Sequence, residues 1–298
     1  MPLNLAILSR SVEVHSTERL RDAAHARGHH VDVLNPLSLT LEIDARQSRL
    51  YLGGAELPHY DAVIPRIGTS INFYGLAVLR QLQSAGSVSL NDAAAVALAQ
   101  DKLASMQRLA AAGVPMPATA FAHSPRETDH LLRLVGGAPA IIKLVEGTQG
   151  VGVVLGETEK SARSVVEAFR KARIDLMIQH YVGEAQGRDL RVFIVGGEIV
   201  AAMERQGADD DFRSNLHRGG TAVPAVLSEA EAREALRAVA AIGLELAGVD
   251  ILRSDRGPLV IEVNASPGLE GIEATTGMDL ASRIIVKCEQ LAAAAGGR

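Results

Sequence analysis

Two apolar segments near the C-terminus carry polar side chains that a buried strand does not tolerate without partners. The segment LVIEVN holds Glu262 and Asn264, and the segment AGVDIL holds Asp250 as its one polar residue. Because side chains alternate across a strand, Glu262 and Asn264 point to the same face. If Asp255-Arg256-Gly257 forms a three-residue hairpin loop with Gly257 in the left-handed conformation, Asp250 lies directly opposite Glu262. The sequence therefore predicts an antiparallel hairpin with three polar side chains on one face.

This trio has the chemistry of a magnesium site. Hard cations take oxygen ligands from carboxylates and amides, and Mg²⁺ keeps waters and phosphate oxygens in its shell. The alternative is a buried carboxylate that backbone donors or one arginine satisfy. That alternative explains one acid more easily than three converging groups, so we predict that Asp250, Glu262 and Asn264 bind metal.

A glycine-rich turn follows a strand lysine in the segment IIKLVEGTQGVGVVL. Lys143 lies on the strand, Gly147, Gly150 and Gly152 form the turn, and a second apolar strand follows. Glycines let backbone N–H groups approach an anion closely. A Walker loop would place its lysine after the last glycine and begin a helix, so this is not a P-loop. A flap over phosphates and a plain surface hairpin both fit, and the predicted metal trio favours the flap.

A third group of charges precedes the metal hairpin. The segment DLRVFIV carries Asp189 and Arg191, and a turn at Gly196-Gly197 pairs it with EIVAAMER. That pairing puts both side chains on the same face as Glu204. A nucleotide contact and a structural salt-bridge ladder are equally good interpretations.

The following loop, DFRSNLHRGG, supplies positive charge. It carries Arg213, Asn215 and Arg218, and Arg205 is close to it in sequence. The whole chain has a net charge of −5, so an anionic substrate needs a local cluster of this kind. A solvated basic loop is the alternative interpretation.

The order of elements indicates two or three domains in the 298 residues. The strand LNLAILS, a helix that Ser16 caps and that ends at Gly28, and the strands HHVDVL and YDAVIPRI make a Rossmann-like start. Ser9-Arg10-Ser11 stands where a dinucleotide-binding protein has a glycine-rich turn, which disfavours an NAD-dependent dehydrogenase. From a boundary near 92–100 the strands come as hairpins. We predict a chain of α/β and α+β class.

Composition narrows the class of protein. The acidic balance and the absence of tryptophan argue against direct binding of nucleic acid. No apolar run approaches the length of a membrane span, and the N-terminal apolar stretch lacks the features of a signal peptide. Cys288 is the one cysteine, which excludes an internal disulfide and fits a reducing cytoplasm. Its spacing predicts a core or interface position in the last helix.

In combination, the strand lysine, the glycine-rich turn, the acidic trio and the Arg-Ser-Asn loop resemble the ATP-grasp superfamily of carboxylate–amine ligases. Within it, VIPRIGTSINFYG, KLVEGTQGVGVVL, DFRSNLHRGG and LVIEVNASPGLEGIE look like the RimK family of α-L-glutamate ligases, and the match covers essentially the whole chain. The resemblance implies an ATP-grasp fold with a Rossmann-like N-terminal (pre-ATP-grasp) domain at 1–95. It also implies an ATP-grasp domain at 96–298, with a central lobe at about 96–185 and a C-terminal lobe at about 186–298.

The activity that this resemblance implies is ATP-dependent ligation. Such an enzyme uses ATP and two Mg²⁺ (or Mn²⁺) ions to add L-glutamate to the C-terminal glutamate of a small-subunit ribosomal protein through an acyl phosphate. Free poly-α-glutamate is a further implied product. The implied partners are that acidic acceptor, L-glutamate and further copies of the chain in a homo-oligomer, with no nucleic acid and no membrane.

The resemblance also implies roles for individual residues. The lysines hold the α/β-phosphates, the glycines close over them, the His-Tyr pair lines adenine and ribose, and the Arg-Ser-Asn loop meets the triphosphate. Many relatives carry an acid where this chain has His180. The implied nucleotide-binding set is Lys102, Lys143, Glu146, Gly147, Gly150, Gly152, His180, Tyr181, Asp189, Arg213, Ser214 and Asn215.

Arginines are the candidates for holding and stabilising the reacting groups, because attack of a carboxylate on a phosphate needs dense positive charge. Arg205, Arg213 and Arg218 are expected to grip acceptor carboxylates and to stabilise the tetrahedral intermediate. Arg66, at the end of an N-terminal strand, is expected to hold the acceptor or the incoming glutamate, as are Arg205 and Arg218. The alternative for Arg66 is an ion pair with an acid at a domain interface.

Two other functions remain open at the level of the sequence. One is a ligase of the same fold that glutamylates a small molecule or a cofactor. The other is a nucleotide-binding regulatory protein without turnover. The presence of all three metal ligands argues against the second.

Overall fold

The computed structural model describes residues 2–45, 48–122, 128–144, 152–208, 214 and 219–296. Within those ranges no helix is both long enough and apolar enough to cross a membrane. The strands are β1 (Asn4–Leu8), β2 (His30–Leu34), β3 (Leu39–Ile43), β4 (Ser48–Leu52), β5 (Ala55–Glu56), β6 (Ala62–Pro65), β7 (Val88–Ser89), β8 (Thr119–Ala122), β9 (Ala140–Leu144), β10 (Val153–Gly156), β11 (Leu176–His180), β12 (Arg188–Val195), β13 (Glu198–Gln206), β14 (Thr221–Pro224), β15 (Leu246–Ser254) and β16 (Gly257–Asn264). The helices are α1 (His15–Ala26), α2 (Asn72–Ser84), α3 (Ala93–Gln100), α4 (Lys102–Ala111), α5 (Thr128–Leu134), α6 (Glu159–Lys171), α7 (Glu229–Ile242), α8 (Glu270–Thr276) and α9 (Leu280–Gly296).

The N-terminal sheet is parallel, with strand order β2-β1-β6-β7. Apolar runs such as LNLAIL and AVIP bury both faces of its inner strands, as parallel strands require. Helix α9 packs against α1 and β6. The predicted Rossmann-like start is confirmed, and so is the buried position of Cys288 in the last helix.

Helix α1 begins one residue before its predicted cap, so the assignment of Ser16 as a cap is wrong. The N-cap is Val14, whose side chain cannot accept a hydrogen bond. The hydroxyl of Ser16 instead accepts a hydrogen bond from the backbone N–H of Leu269 at 3.0 Å. Ser16 therefore links α1 to the segment that follows β16.

The chain between β2 and β6 forms a separate three-stranded antiparallel sheet, β3-β4-β5, which the sequence does not predict. Its strands are short and partly polar, so their alternation is weak in the sequence. Side chains of α2 hold it in place, since Tyr74 donates to the carbonyl of Leu39 at 2.7 Å and Gln81 donates to that of Glu42 at 2.6 Å. This sheet is an insertion that covers one flank of the N-terminal sheet.

The central sheet has the order β10-β9-β11-β8 and is antiparallel. Its apolar face packs on α5 and α6 in a core of its own, which includes Leu131, Ile142 and Ile178. The two predicted strands of the glycine-rich segment are confirmed as β9 and β10, with Lys143 paired opposite Val153, and the residues 145–151 between them lie outside the described ranges. The opposite face of this sheet is free to line a cleft.

The C-terminal sheet has the order β14-β13-β12-β15-β16. Its core is continuous with that of the N-terminal sheet, because Ala6 and Val63 belong to one buried cluster with Val192 and Val249. Helices α3 and α4, which meet at a break at Asp101, contribute to the same cluster. The central sheet is thus the part of the structure with a separate core, and the predicted α/β and α+β class is confirmed.

Candidate active site

Strand pairing in the C-terminal sheet brings the acidic trio together. Arg191 of β12 lies opposite Asp250 of β15, and Asp250 lies opposite Glu262 of β16. Asn264 is two residues further along β16 and is paired with Gly248. The predicted register of Asp250 with Glu262 is confirmed, and all three predicted ligands lie on one face.

The route to that register differs from the predicted one. Ser254 pairs with Gly257 across a two-residue turn, not a three-residue loop. The pairing then shifts by one residue between Asp250 and Ile251, so the additional residue enters β16 as a bulge beside the trio. Gly257 does have positive φ, at 97°, as expected.

A second bulge makes the prediction for Glu204 wrong. The register between β12 and β13 shifts between Phe193 and Ile194, so Asp189 pairs with Arg205 and Leu190 pairs with Glu204. A one-residue slip moves a side chain to the other face of a sheet. Glu204 therefore points away from the trio, and Arg205 points toward it.

Two arginines bind the carboxylates of this face. Arg191 donates to both oxygens of Asp250, from Nε and, at 2.8 Å, from Nη2. Arg205 donates to Asp189 at 2.7 and 2.5 Å, and its Nη2 lies 3.1 Å from Asp250 Oδ2. The salt-bridge interpretation is thus correct for Asp189, and the expectation that Arg205 is open to an acceptor carboxylate needs correction. Two of its three nitrogens are engaged, because the bulge places it over Asp189.

Burial and charge set the protonation of these groups. Burial alone would raise the pKa of Asp250, but the adjacent Arg191 and Arg205 hold it below its ordinary value. Burial and the charge of Asp250 raise the pKa of Asp189 despite Arg205. The surrounding protein and Asp250 also raise the pKa of Glu262, although its side chain is open to the cleft. Asp250 thus keeps its charge beside two arginines, whereas Asp189 and Glu262 take up a proton more readily than ordinary carboxyl groups.

Glu262 differs from the other acids in its partners. Among the residues that the structure describes, no donor forms a hydrogen bond or ion pair with its carboxylate, and no three His, Cys, Asp or Glu side chains converge on one point. The donor set on this face is two carboxylates and the amide of Asn264, all oxygen ligands. Such a set fits Mg²⁺, which accepts one or two carboxylates together with waters and substrate phosphates.

Lys143 lies on the central sheet, and the charges of Glu262 and Asp250 act on it. Nζ of Lys143 donates to Gln179 Oε1 at 2.8 Å, and Gln179 donates to Thr119 at 3.0 Å. Burial lowers the pKa of Lys143, the charge of Lys102 lowers it further, and Glu262 and Asp250 oppose this. The free face of the central sheet thus presents positive charge to the negative charge of the C-terminal sheet, with a cleft between them.

His180 and Tyr181 are not brought into this group by their side chains. Lys143 pairs opposite Met177, so Gln179 shares its face and His180 lies on the other face. The His180 ring forms a 3.0 Å hydrogen bond with the Val135 carbonyl. The expectation that its side chain lines the nucleotide is therefore corrected, because strand alternation turns it toward α5. The Tyr181 ring lies close to Gly183.

The glycine-rich turn and the arginine loop are described only in part. Gly152 has φ +78°, and a Cβ there would lie 2.5 Å from Leu144, so glycine is required at the base of the turn. Ser214 forms a hydrogen bond with Asp189, which places Ser214 at the cluster. Six of the predicted site residues lie outside the described ranges: Glu146, Gly147, Gly150, Arg213, Asn215 and Arg218.

Arg66 lies at the end of the N-terminal sheet and contacts the segment that follows β16. Its Nη1 donates to the carbonyl of Pro267 at 2.8 Å, three residues beyond Asn264. Burial lowers the pKa of Arg66 to about 10. No carboxylate within the described ranges forms an ion pair with Arg66. The alternative interpretation, an ion pair with an acid at a domain interface, therefore finds no partner among these residues.

A glycine permits the close approach of these elements. A Cβ on Gly248 would lie 2.8 Å from Pro267 Cβ and 3.2 Å from Arg191 Cδ. The side chain of Arg191 therefore crosses over Gly248 to reach Asp250.

Comparison with known proteins identifies the family. The model of the RimK PreATP-grasp domain matches residues 3–96, and that of the RimK-like ATP-grasp domain matches residues 99–288. This chain belongs to the RimK-like ATP-grasp family. It is 55% identical over 283 residues to the ribosomal protein bS6–L-glutamate ligase of Escherichia fergusonii, covering 95% of this chain and 94% of that protein. It is 52% identical to the probable α-L-glutamate ligase of Klebsiella pneumoniae, with 97% of each chain covered.

Solved structures show the same fold. The ATP-grasp ligase PsnB complexed with its minimal precursor superposes with a TM-score of 0.76 at 21% identity, over 98% of this chain and 99% of that one. The D-cycloserine synthetase DcsG superposes with a TM-score of 0.73 at 18% identity, over 97% and 99%. The ATP-grasp fold predicted from the RimK-like segments is confirmed. ATP-grasp ligases use ATP and magnesium, and this RimK-like chain is an enzyme of that kind.

Sequence reasoning missed several residues of the RimK-like site. The sequence indicates Arg191 as a member of a salt-bridge ladder but does not indicate Asp250 as its partner. That partnership depends on the pairing of β12 with β15, which the sequence does not predict. Gln179 is a buried amide in an apolar strand, and nothing else in the sequence indicates that it belongs to the site. Gly248 precedes Asp250 by two residues, and a small residue at that spacing was the available clue.

Proposed function

We propose that this enzyme is an ATP-dependent α-L-glutamate ligase that extends the acidic C-terminus of a ribosomal protein. The observation that carries the proposal is the opposition of two charged faces across one cleft. Asp250, Glu262 and Asn264 lie on one side and Lys143 lies on the other, and the charge of Lys102 at the start of α4 acts on both Lys143 and Glu262. The acceptor is proposed from the relatives named ribosomal protein bS6–L-glutamate ligase, which this chain matches over nearly its full length.

The chain offers a place for each part of MgATP. Lys143, held by Gln179, and Lys102 bind the α/β-phosphates, and Gly152 closes the base of the turn above them. Asp250, Glu262 and Asn264 would hold the metal, which we propose to be two Mg²⁺ or Mn²⁺ ions. When bound, these ions neutralise the charge on the transferred phosphoryl group.

Other residues proposed to contact the nucleotide follow from the sequence. The flap residues Glu146, Gly147 and Gly150 cover the phosphates. Asp189 and the adjoining Ser214 reach the nucleotide, with Arg213 and Asn215 from the same loop. Tyr181 lies next to the end of β11, where the ribose would approach.

The reaction has two steps that conserve atoms and charge. The acceptor carboxylate attacks the γ-phosphorus of ATP, the bond to ADP breaks, and an acyl phosphate forms. The amine of L-glutamate then attacks the acyl carbon, loses a proton and displaces phosphate, which leaves an amide. No side-chain nucleophile is needed, so the residues act by positioning and by electrostatics.

Arginines would handle the carboxylates. Arg66 has no carboxylate partner within the described residues and contacts the segment that follows β16, which suits a substrate carboxylate. Arg205 bridges Asp189 and Asp250, so it supports the cluster and contributes charge to the intermediate. Arg213 and Arg218 are proposed to bind the acceptor. Repeated cycles would lengthen the tail, and glutamate itself as acceptor would give free poly-α-glutamate.

Mass spectrometry of the acceptor tests this proposal. The chain is incubated with ATP, Mg²⁺, L-glutamate and a peptide that ends in glutamate, and a matched peptide with an amidated C-terminus serves as control. We expect mass increments of one glutamate residue on the free-acid peptide alone, with ADP released in step. Increments on the amidated peptide, or no increments on the free-acid peptide, would contradict the proposal.

A further inference from the structure

Two buried amide oxygens lie near Arg66 without a donor. Among the described residues, Asn72 Oδ1 and Gln100 Oε1 are buried side-chain atoms that have no hydrogen-bond partner. A buried acceptor without a donor loses the hydrogen bonds it would make in water, so such groups mark positions where a ligand or water is expected. Both belong to elements that meet at the residue after Arg66.

Gln100 is fixed by its other end. Its Nε2 donates to the carbonyl of Ile67 at 2.6 Å. A carbonyl can only accept, so the amide nitrogen must face Ile67 and the amide oxygen must face away from that carbonyl. The orientation of Gln100 is therefore determined, and its oxygen remains as an acceptor beside residues 67–68.

Asn72 reaches the same place from helix α2. Gly75, three residues later, packs on Ile67 so closely that a Cβ there would lie 2.7 Å from Ile67 Cγ2. Residues three apart share a helix face, so Asn72 is on the face of α2 that meets Ile67. A Cβ on Gly68 would meet no atom within 4 Å, so the backbone between Arg66 and α2 borders open space.

The chemistry of this group matches an α-amino acid. Resting on the proposed function, we infer that Arg66, Asn72 and Gln100 form the binding site of the incoming glutamate, with Arg66 on a carboxylate and the two amide oxygens on the amine. Arg66 contacts Pro267, and Pro267 approaches Gly248, which pairs with Asn264, so this site is on the side of the C-terminal sheet that carries the predicted metal ligands. This assigns to Asn72 and Gln100 a role in orienting the nucleophile.

Neutral acceptors suit an amine that must react. A carboxylate next to the amine would favour its protonated, unreactive form. Amide oxygens can orient the N–H groups and leave a lone pair for the acyl carbon. The site thus holds the amine without trapping its proton.

The test compares L-glutamate with glutarate, which has both carboxylates but lacks the amine. Steady-state KM for glutamate and competitive inhibition by glutarate are measured for wild type, Asn72→Leu and Gln100→Met. We expect each substitution to raise KM for glutamate about fivefold to tenfold, the size of one lost hydrogen bond. Glutarate inhibition and KM for ATP should change by less than about twofold.

A matched control is Gln83→Met, at the other end of α2. Gln83 accepts from the N–H of Ala93 and donates to Asp92, so its loss affects structure alone. Gln83→Met should lower the melting temperature and leave the preference for glutamate over glutarate unchanged. An unchanged preference in Asn72→Leu and Gln100→Met, or a loss of preference in Gln83→Met as well, would overturn the inference.

Hydroxylamine separates this inference from the proposed function. It traps an acyl phosphate as a hydroxamate and needs no glutamate. Hydroxamate from wild type with acceptor and ATP shows that the first step occurs, so a failure of the glutarate comparison would then count against the amine site alone. Absence of hydroxamate in wild type would overturn the proposed function, and the amine site with it.

Discussion

Arg191 donates two hydrogen bonds to the carboxylate of Asp250, the residue directly opposite it across β12 and β15. Their side chains are only 15% and 6% exposed, so this is a buried ion pair at a predicted metal ligand. Arg205 approaches the same carboxylate from β13. Two fixed arginines thus hold the carboxylate of Asp250.

Removal of Arg191 should destabilise the C-terminal sheet. Arg191→Met leaves a buried carboxylate with one partner fewer, and we expect the free energy of unfolding to fall by about 3 kcal/mol. Arg191→Lys should recover little of it, because a single ammonium cannot make the two parallel hydrogen bonds. Urea denaturation measures this. Arg253→Met is the control, since Arg253 forms ion pairs on the other face at 47% exposure and should change stability by about 1 kcal/mol or less. Equal losses in the two variants would contradict the assignment.

Gly248 should not accept a methyl group. In Gly248→Ala the new Cβ meets Pro267 at 2.8 Å and Arg191 at 3.2 Å, so Arg191 must move off Asp250. We expect a loss of about 1–3 kcal/mol in stability, as for other overpacked sites, and a lower kcat. Gly268→Ala is matched in the same segment, because a Cβ there meets nothing within 4 Å. A melting temperature in Gly248→Ala equal to that of Gly268→Ala would show that the approach is not tight.

Gln179 should affect ATP binding through Lys143. Gln179→Leu removes the acceptor that holds Nζ at 2.8 Å, and we expect KM for ATP to rise about tenfold, as for a lost hydrogen bond to a charged group. Thr119→Val acts one step further away, on Gln179 itself, and should have a smaller effect in the same direction. Initial rates at varied ATP give the order. A larger effect from Thr119→Val than from Gln179→Leu would contradict this positioning role.

Acid should weaken the attachment of α9 to the N-terminal sheet. Glu289 accepts hydrogen bonds from Arg27 and lies 2.7 Å from His29, and the bond from Arg27 lowers its pKa below the ordinary 4.5. A carboxyl with a lowered folded pKa stabilises the protein above its unfolded pKa and loses that contribution as pH falls through the folded value. The difference in melting temperature between wild type and Glu289→Gln should therefore shrink on acidification from pH 6. An exposed control, Glu13→Gln, should show no such trend. A constant difference for Glu289→Gln would contradict the lowered pKa.

The sequence was sufficient for the sheets whose strands are apolar and alternate clearly. The hairpin of Asp250 and Glu262 could be placed because both strands are long and carry isolated polar residues. The sheet β3-β4-β5 could not, because its strands are short and partly polar and depend on α2 for their packing.

Two β-bulges are the main reason why the side chains of the site could not all be placed from the sequence. Neither bulge has a glycine or proline to mark it in the sequence, yet each decides which side chains face the cleft. One bulge compensated for a misjudged turn, so Asp250 and Glu262 still met. The other bulge shifts the register of β13 by one residue, so Arg205 faces the cleft where Glu204 was expected, and no second error restores the predicted register. The partnership of Arg191 with Asp250 further depends on the crossing of β12 to β15, which is a property of tertiary structure.

Glutamate incorporation by Glu262→Gln at saturating ATP and Mg²⁺ tests the central claim most directly. The substitution keeps the shape of the side chain and removes the charge that would hold the metal, at a residue open to the cleft and without a protein partner within the described ranges. We predict that the variant retains the wild-type melting temperature and incorporates no glutamate into the acceptor. Asp250→Asn should cause a similar loss, and the double variant should be no worse than either one, because both serve one cluster. Turnover by Glu262→Gln near that of wild type would contradict the account.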